Sequence, residues 1–274
     1  MSQSVPPVIQ AEELNARLDS PDLVIVDLSG DVAYEREHIP GAVNVDAASI
    51  SASRPPVMGL LPPAQALATV LSAAGIQPDS WVVAYDSENG LKAARFAWTL
   101  DAIGHARVSL LDGGLGAWLD AGLPTDDEPT EPTEPAPGSY PAQYRDEHVA
   151  DKDYILSRLG APDLAILDAR TPGEYGGTDR RALRAGHIPG AVNIDWSRAL
   201  RGNGDPRLLP AEQLRALYEA HGVTPDKEVI VHCQTHQRSS HTYFALKSLG
   251  FQRIKGYPGS WSDWGNDPDT PVEA

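Results

Sequence analysis

The sequence predicts an α/β fold built twice, as two domains that each carry a mostly parallel central sheet flanked by helices. Three observations predict it. The chain has 274 residues, enough for two ordinary domains. Short apolar runs alternate with amphipathic stretches, the order expected of a mostly parallel sheet. The second half also repeats the first, with a period far too long for a solenoid.

The repeat can be followed element by element. Leu23-Val24-Ile25-Val26-Asp27 returns as Leu164-Ala165-Ile166-Leu167-Asp168. Val82-Val83-Ala84-Tyr85-Asp86 returns as Val229-Ile230-Val231-His232-Cys233. These runs are continuously apolar, without alternation, as in strands covered on both faces. His38-Ile39-Pro40-Gly41-Ala42-Val43-Asn44 returns as His187-Ile188-Pro189-Gly190-Ala191-Val192-Asn193, a turn leading into a short strand. Ala64 to Leu71 and Ala211 to Tyr218 have helical patterns. Gly104 matches Gly250, and Trp118 matches Trp264. Between the copies, residues 126–138 carry proline at every third position among acidic residues. That composition favours an extended polyproline linker of about 3.1 Å per residue. The expected domains are 1–125, a linker 126–138, and 139–274.

Charge and cysteine usage narrow the function. Lys and Arg number 22 against 38 Asp and Glu, a formal charge of −16. Such a chain repels nucleic acid and anionic membrane surfaces. An anionic substrate must therefore be drawn by a local positive site. The single cysteine excludes an intrachain disulfide. Met1 to Pro7 lacks the basic and apolar regions of a secretory signal, and no apolar run approaches a membrane span. We expect a cytoplasmic monomer that uses no membrane and no nucleic acid.

That single cysteine, Cys233, ends an apolar strand and opens the polar loop Gln234-Thr235-His236-Gln237-Arg238-Ser239, after which a helical pattern begins. Such a junction can aim loop N–H groups and a helix N-terminus at one sulfur. It thereby lowers the thiol pKa and makes thiolate available at neutral pH. A lone cysteine is commonly a buried structural residue; the polar loop and its arginine argue for a nucleophile here.

The first half has no cysteine and so serves as an internal control. Features shared by both halves read as structural: Asp27 and Asp168 as turn or cap residues, His38 and His187 as packing or hydrogen-bonding residues. Features of the second half alone are candidates for chemistry. Cys233 replaces Asp86, Arg170 replaces Ser29, and Trp196 replaces Ala47. His236 and Arg238 enter the loop, and the insertion 176–185 adds Arg180, Arg181 and Arg184, which also read as an ordinary solvated loop.

Taken together, the cysteine loop, Asp168-Ala169-Arg170, the segment from Gly186 to Asn193, and Gly259-Ser260-Trp261-Ser262-Asp263-Trp264 resemble the rhodanese family of sulfurtransferases over nearly the whole chain. The resemblance implies an inactive first domain and an active second one. It implies that Cys233 takes the outer sulfur of a donor such as thiosulfate, forms a persulfide and releases sulfite. A thiophilic acceptor, cyanide or a thiol, then takes the sulfur. The candidates for binding substrate or persulfide are Arg238, Gln234, Thr235, His236, Gln237 and Ser239 in the loop, with Arg170, Glu174 and Trp196 beyond it. No metal and no cofactor is expected.

The alternatives differ by particular residues. Relatives that use 3-mercaptopyruvate carry an arginine where this chain has Glu174, and a carboxylate there is expected to repel a carboxylate substrate, which favours thiosulfate. The loop resembles a bacterial thiosulfate-utilising branch with Cys-Gln-Thr-His, although Gln234 and Thr235 stand where thiosulfate enzymes place a basic residue. Cysteine phosphatases and arsenate reductases separate cysteine from arginine by five residues, whereas four separate Cys233 from Arg238. The shorter loop suits one sulfur better than a phosphate. A non-enzymatic sulfur-carrier module is the remaining class.

Overall fold

The computed structural model describes residues 4–130, 140–141 and 143–274. Most of the predicted proline-rich linker, 131–138, lies outside them. In chain order the first half forms β1 (Val8–Ile9), α1 (Ala11–Asn15), β2 (Leu23–Asp27), α2 (Asp31–Arg36), β3 (Ala42–Asn44), β4 (Ala52–Arg54), β5 (Val57–Leu60), α3 (Ala64–Ala73), β6 (Trp81–Tyr85), α4 (Leu91–Ala102), β7 (Val108–Leu111) and α5 (Gly114–Asp120). The second half forms α6 (Lys152–Arg158), β8 (Leu164–Asp168), α7 (Pro172–Tyr175), β9 (Val192–Asn193), β10 (Leu200–Gly202), β11 (Asp205–Leu208), α8 (Ala211–Glu219), β12 (Glu228–His232), α9 (Arg238–Ser248), β13 (Ile254–Gly256) and α10 (Ser260–Trp264). Among the described residues, no helix is long and apolar enough to cross a membrane.

Two compact units result. One holds Met1–Ser51, Leu61–Arg145 and Asn203–Arg207; the other holds Ala52–Leu60, Asp146–Gly202 and Leu208–Ala274. The antiparallel β4–β5 hairpin, although encoded in the first half, therefore belongs to the second unit.

The first unit is built on a five-stranded parallel sheet of order β1-β7-β6-β2-β3. Every residue of β6 is buried, which is why that strand reads as an unbroken apolar run. The second unit has a four-stranded parallel sheet of order β13-β12-β8-β9. The repeat extends to register. Asp27 pairs with Tyr85 at the end of β2 and β6, as Asp168 pairs with His232 at the end of β8 and β12.

The shared residues have matching structural roles. His38 stacks on Tyr34 at 4.0 Å and bonds its carbonyl at 2.7 Å. His187 stacks on Tyr175 at 3.7 Å and bonds its carbonyl at 3.0 Å. The Tyr34 hydroxyl donates to Ala42 O, and that of Tyr175 to Ala191 O, both at 2.7 Å. Trp118 and Trp264 each donate an indole N–H to a proline carbonyl at 2.8 Å, Pro124 and Pro271 respectively. A duplicated histidine with a fixed carbonyl partner is a packing element, as the repeat predicts. Residues 126 to 130 of the predicted linker are tied into the first unit. Asp126 exchanges two backbone hydrogen bonds with His38, and Thr130 N–H donates to the Tyr34 hydroxyl.

At the end of β6 the chain makes a loop around Asp86, which is 1% exposed. The N–H groups of Glu88 and Gly90 donate to one carboxylate oxygen at 3.0 and 2.9 Å, and those of Lys92 and Ala93 to the other at 3.1 Å. The loop and the first turn of α4 are thus an anion nest whose anion is the chain's own carboxylate. Asp86→Ala strips four N–H groups of their acceptor, and leaving buried donors unpaired costs about 1–3 kcal/mol per group where water cannot replace it. We expect the unfolding free energy in urea to fall by at least about 2 kcal/mol. An unchanged midpoint would show that water satisfies the nest equally well.

Candidate active site

The corresponding loop of the second unit is built around Cys233. Its root is fixed by the start of α10. Cys233 N–H donates to Ser260 Oγ at 3.2 Å, Trp261 N–H to Cys233 O at 3.0 Å, and Ser262 N–H to Gln234 O at 3.0 Å. Ser260 takes a left-handed conformation, φ 49°, to make this turn, an uncommon geometry for a residue with a side chain. His236 does the same within the loop, φ 62°, so five residues close a tight cup before α9 begins.

The sulfur lies at the focus of that cup, and Cys233 is 1% exposed. Burial raises the thiol pKa. The Arg238 charge, the Ser239 hydroxyl, and the N–H groups of Ser239 and Thr235 lower it, and together they prevail, leaving it below the ordinary thiol value. Ser239 contributes twice because it lies in the first turn of α9, where N–H groups have no partner within the helix. Its hydroxyl has one proton. With that proton on the sulfur, Ser239 Oγ must accept from His236 Nδ1, 2.7 Å away, which fixes the tautomer of a buried imidazole.

Arg238 is held by Glu174 in a two-pronged ion pair, Nη1 to Oε2 at 2.6 Å and Nη2 to Oε1 at 2.9 Å. The side chain of Glu174 is 1% exposed, that of Arg238 20%. Glu174 is itself placed by local sequence. Thr171 caps α7 by accepting Glu174 N–H, and the Glu174 carboxylate accepts Thr171 N–H, a reciprocal capping box. Burial alone would raise the Glu174 pKa; the Arg238 bonds and charge and the Thr171 donors bring it down to about 2. Arg181 Nε adds a second cation 3.6 Å from Glu174. The carboxylate expected to repel a substrate carboxylate is therefore also the anchor of the loop arginine.

The other candidates separate into those brought to the cup and those kept from it. Thr235 and Ser239 reach the sulfur, and His236 reaches it through Ser239. Gln234 turns to the insertion and donates to Arg181 O at 3.2 Å. Gln237 is exposed. Trp196 lies edge-on to His241 of α9 at 5.4 Å and is half-buried. Arg170 departs from the role expected of a substrate-binding cation. It is 1% exposed, bonds Asp168 through Nε at 3.0 Å and Nη2 at 2.6 Å, donates to Gly186 O at 2.8 Å, and lies over the Trp261 ring at 4.4 Å. Its charge is neutralised by a buried carboxylate, so it braces the sheet end behind the cup. In the insertion, Arg184 donates to Trp264 O and Thr270 O at 2.9 and 2.5 Å and so fastens the C-terminal segment.

Sequence reasoning assigned no role to Ser260, although the residue stood in a segment already singled out, nor to the capping pattern Thr171-Pro172-Gly173-Glu174, which was legible. It also passed over the β4–β5 hairpin, whose turn the Pro55-Pro56 pair marks.

A strand-end cysteine in an N–H cup, repeated as an aspartate in a second copy, defines a tandem α/β protein with one candidate thiol nucleophile. The model of the Rhodanese-like domain matches residues 10–121 and 151–267, and the chain belongs to the rhodanese family. It is 46% identical to a thiosulfate sulfurtransferase of Azotobacter vinelandii, over 98% of each chain. It is 47% identical to a thiosulfate sulfurtransferase of Pseudomonas aeruginosa, covering 98% of this chain and 97% of that one. A sulfur carrier protein, TtuD, of Thermus thermophilus is 36% identical over 97% of this chain and 95% of its own. A solved anaerobic ergothioneine biosynthesis enzyme from Chlorobium limicola shares the fold, with TM-score 0.86 and 24% identity, over 98% of this chain and 70% of that one.

The electrostatics predict an alkylation profile. Cys233 should react with iodoacetamide along a titration whose midpoint lies below that of a free thiol. Arg238→Ala removes the largest lowering influence and should raise the midpoint by roughly 1 unit or more. Glu174→Gln leaves Arg238 charged but unanchored and should destabilise the fold by about 3 kcal/mol. For Glu174 the folded pKa is depressed, so its stabilisation is complete above about 4.5 and lost as pH falls towards about 2. Acid unfolding of Glu174→Gln should therefore be flatter over that window than wild type.

Proposed function

We propose that the protein is a thiosulfate sulfurtransferase that works through a Cys233 persulfide. The observation that carries this reading is a single buried cysteine at a strand end, in a loop whose Arg238, Ser239 hydroxyl and Ser239 and Thr235 N–H groups lower its thiol pKa. In the first half-reaction the Cys233 thiolate attacks the outer sulfur of thiosulfate. A bond forms between Sγ and that sulfur, the S–S bond of the donor breaks, and its electron pair leaves with sulfite. The persulfide keeps one negative charge, which the cup and Arg238 stabilise without rearrangement. In the second half-reaction a cyanide carbon or a thiolate attacks the terminal sulfur and restores the Cys233 thiolate. The chain has one cysteine, so the acceptor comes from outside.

Residues 139–274, with the β4–β5 hairpin, form the catalytic part on this reading. The 1–125 part is silent, because the Asp86 carboxylate fills its own nest and has no thiophilic atom. The identity of about half with two thiosulfate sulfurtransferases supports thiosulfate as donor over 3-mercaptopyruvate. So does the chemistry at Glu174, where a donor carboxylate would meet a buried carboxylate already paired with Arg238. A reducing cytoplasm suits an acidic chain with a lone reactive thiol, and we propose that it acts there as a monomer. The relative named as a sulfur carrier keeps a second reading open, in which the persulfide is loaded and handed on without multiple turnover.

Thiosulfate should add one sulfur atom to the intact protein at Cys233, read by mass spectrometry, and cyanide should remove it over many cycles. Cys233→Ser should carry no sulfur and lose turnover to background, since a serine hydroxyl is neither ionised nor thiophilic at neutral pH. Single loading without turnover favours the carrier reading; equal loading of wild type and Cys233→Ser rejects the mechanism. Glu174→Arg sets two guanidinium groups against each other and should reduce kcat/KM on both donors by about 100-fold.

A further inference from the structure

We infer that Gly59, encoded in the half of the chain that lacks a cysteine, is a positioning residue for the Cys233 loop, an inference that rests on Cys233 being the reacting group. Gly59 lies in β5, with φ 73°, against the peptide of Thr235. A Cβ at Gly59 would stand 2.3 Å from Thr235 O, 2.8 Å from Thr235 Cβ and 2.9 Å from Thr235 C. These are backbone and near-backbone atoms, so no flexible side-chain end can give way. Only glycine lets the strand lie this close and also adopt this φ.

The contact is held from the other side. Met58 N–H donates to Ser262 Oγ at 2.9 Å, and that oxygen lies 2.9 Å from Met58 O. Ser262 N–H in turn donates to Gln234 O at 3.0 Å. One residue of α10 therefore holds both the hairpin and the loop, and the hairpin presses on the very next loop residue. Thr235 N–H is one of the groups that lower the Cys233 pKa. The Thr235 carbonyl and the Thr235 N–H lie in consecutive peptide groups joined at Thr235 Cα, so pushing the carbonyl away shifts the Thr235 backbone and turns that N–H from the sulfur. The hairpin thus tunes the nucleophile without touching the reacting atoms.

The test is the pH dependence of Cys233 alkylation by iodoacetamide, with thermal unfolding recorded alongside. Gly59→Ala should raise the alkylation midpoint by ~0.5–1 unit and lower kcat/KM for thiosulfate about tenfold. The control is Gly190→Ala. Gly190 has the same φ, 73°, but nothing within 4 Å of its added Cβ, so it carries the backbone strain without the contact and should keep the wild-type midpoint. Ser262→Ala releases the hairpin and should move the midpoint in the same direction as Gly59→Ala. It decides the matter if Gly59→Ala does not fold. The inference is overturned by a folded Gly59→Ala with the wild-type midpoint, by an equal shift in Gly190→Ala, or, if Gly59→Ala is lost, by an unshifted Ser262→Ala. Alkylation needs no sulfur donor, so failure of wild type to accept sulfur from thiosulfate would reject the sulfurtransferase reading without bearing on this one.

Discussion

The constraint on which this molecule depends is a buried anion at the end of a central strand. A parallel strand buried on both faces delivers its last residue into the interior, and the loop and helix that follow turn their N–H groups back on it. In the first unit the anion is the Asp86 carboxylate, met by four N–H groups. In the second the corresponding group is the Cys233 thiol, whose pKa Arg238, a hydroxyl and two N–H groups lower against the effect of burial. A carboxylate satisfies the nest permanently. A thiolate satisfies it through one polarisable atom that can accept a further sulfur, and the same donors then serve the enlarged anion. The same architecture is thus structural in one unit and, on the proposed reading, chemical in the other.

Charge placement around the sulfur follows a similar economy. A buried guanidinium is costly unless paired, and Arg170 and Arg238 are each paired with a carboxylate in a different way. Arg170 is matched by Asp168 behind the sheet end and stiffens the strand junction. Arg238 is matched by Glu174 but remains one-fifth exposed, and still lowers the Cys233 pKa. Glu174 is also fixed by a capping box, which holds the carboxylate where Arg238 meets it. The site therefore offers an incoming anion a preorganised field in a chain whose net charge is −16.

The split of structural and chemical residues was visible in the sequence because the chain contains its own control. His38 and His187, Trp118 and Trp264, and Asp27 and Asp168 occur in both halves, and each pair makes matching contacts. Cys233, Arg238 and His236 occur once, and they meet at the cup. Arg170, also unique to the second half, is buried against Asp168 and Trp261, and Trp196 lies edge-on to His241. Residues unique to one half need not touch the sulfur, since a unit with a different loop also needs different packing behind it.

The sequence by itself determined the α/β class, the duplication and the positions of the central strands and of α3 and α8, and it singled out Cys233 as the candidate nucleophile. All of these rest on local periodicity, on composition and on comparison of one half with the other. Tertiary structure alone decided the pairing of Glu174 with Arg238, the burial of Arg170 against Trp261, and the approach of Gly59 to Thr235. Each of these joins residues at least 64 positions apart. Their meeting depends on strand order and on which unit a hairpin joins, and no local pattern of residues encodes either one.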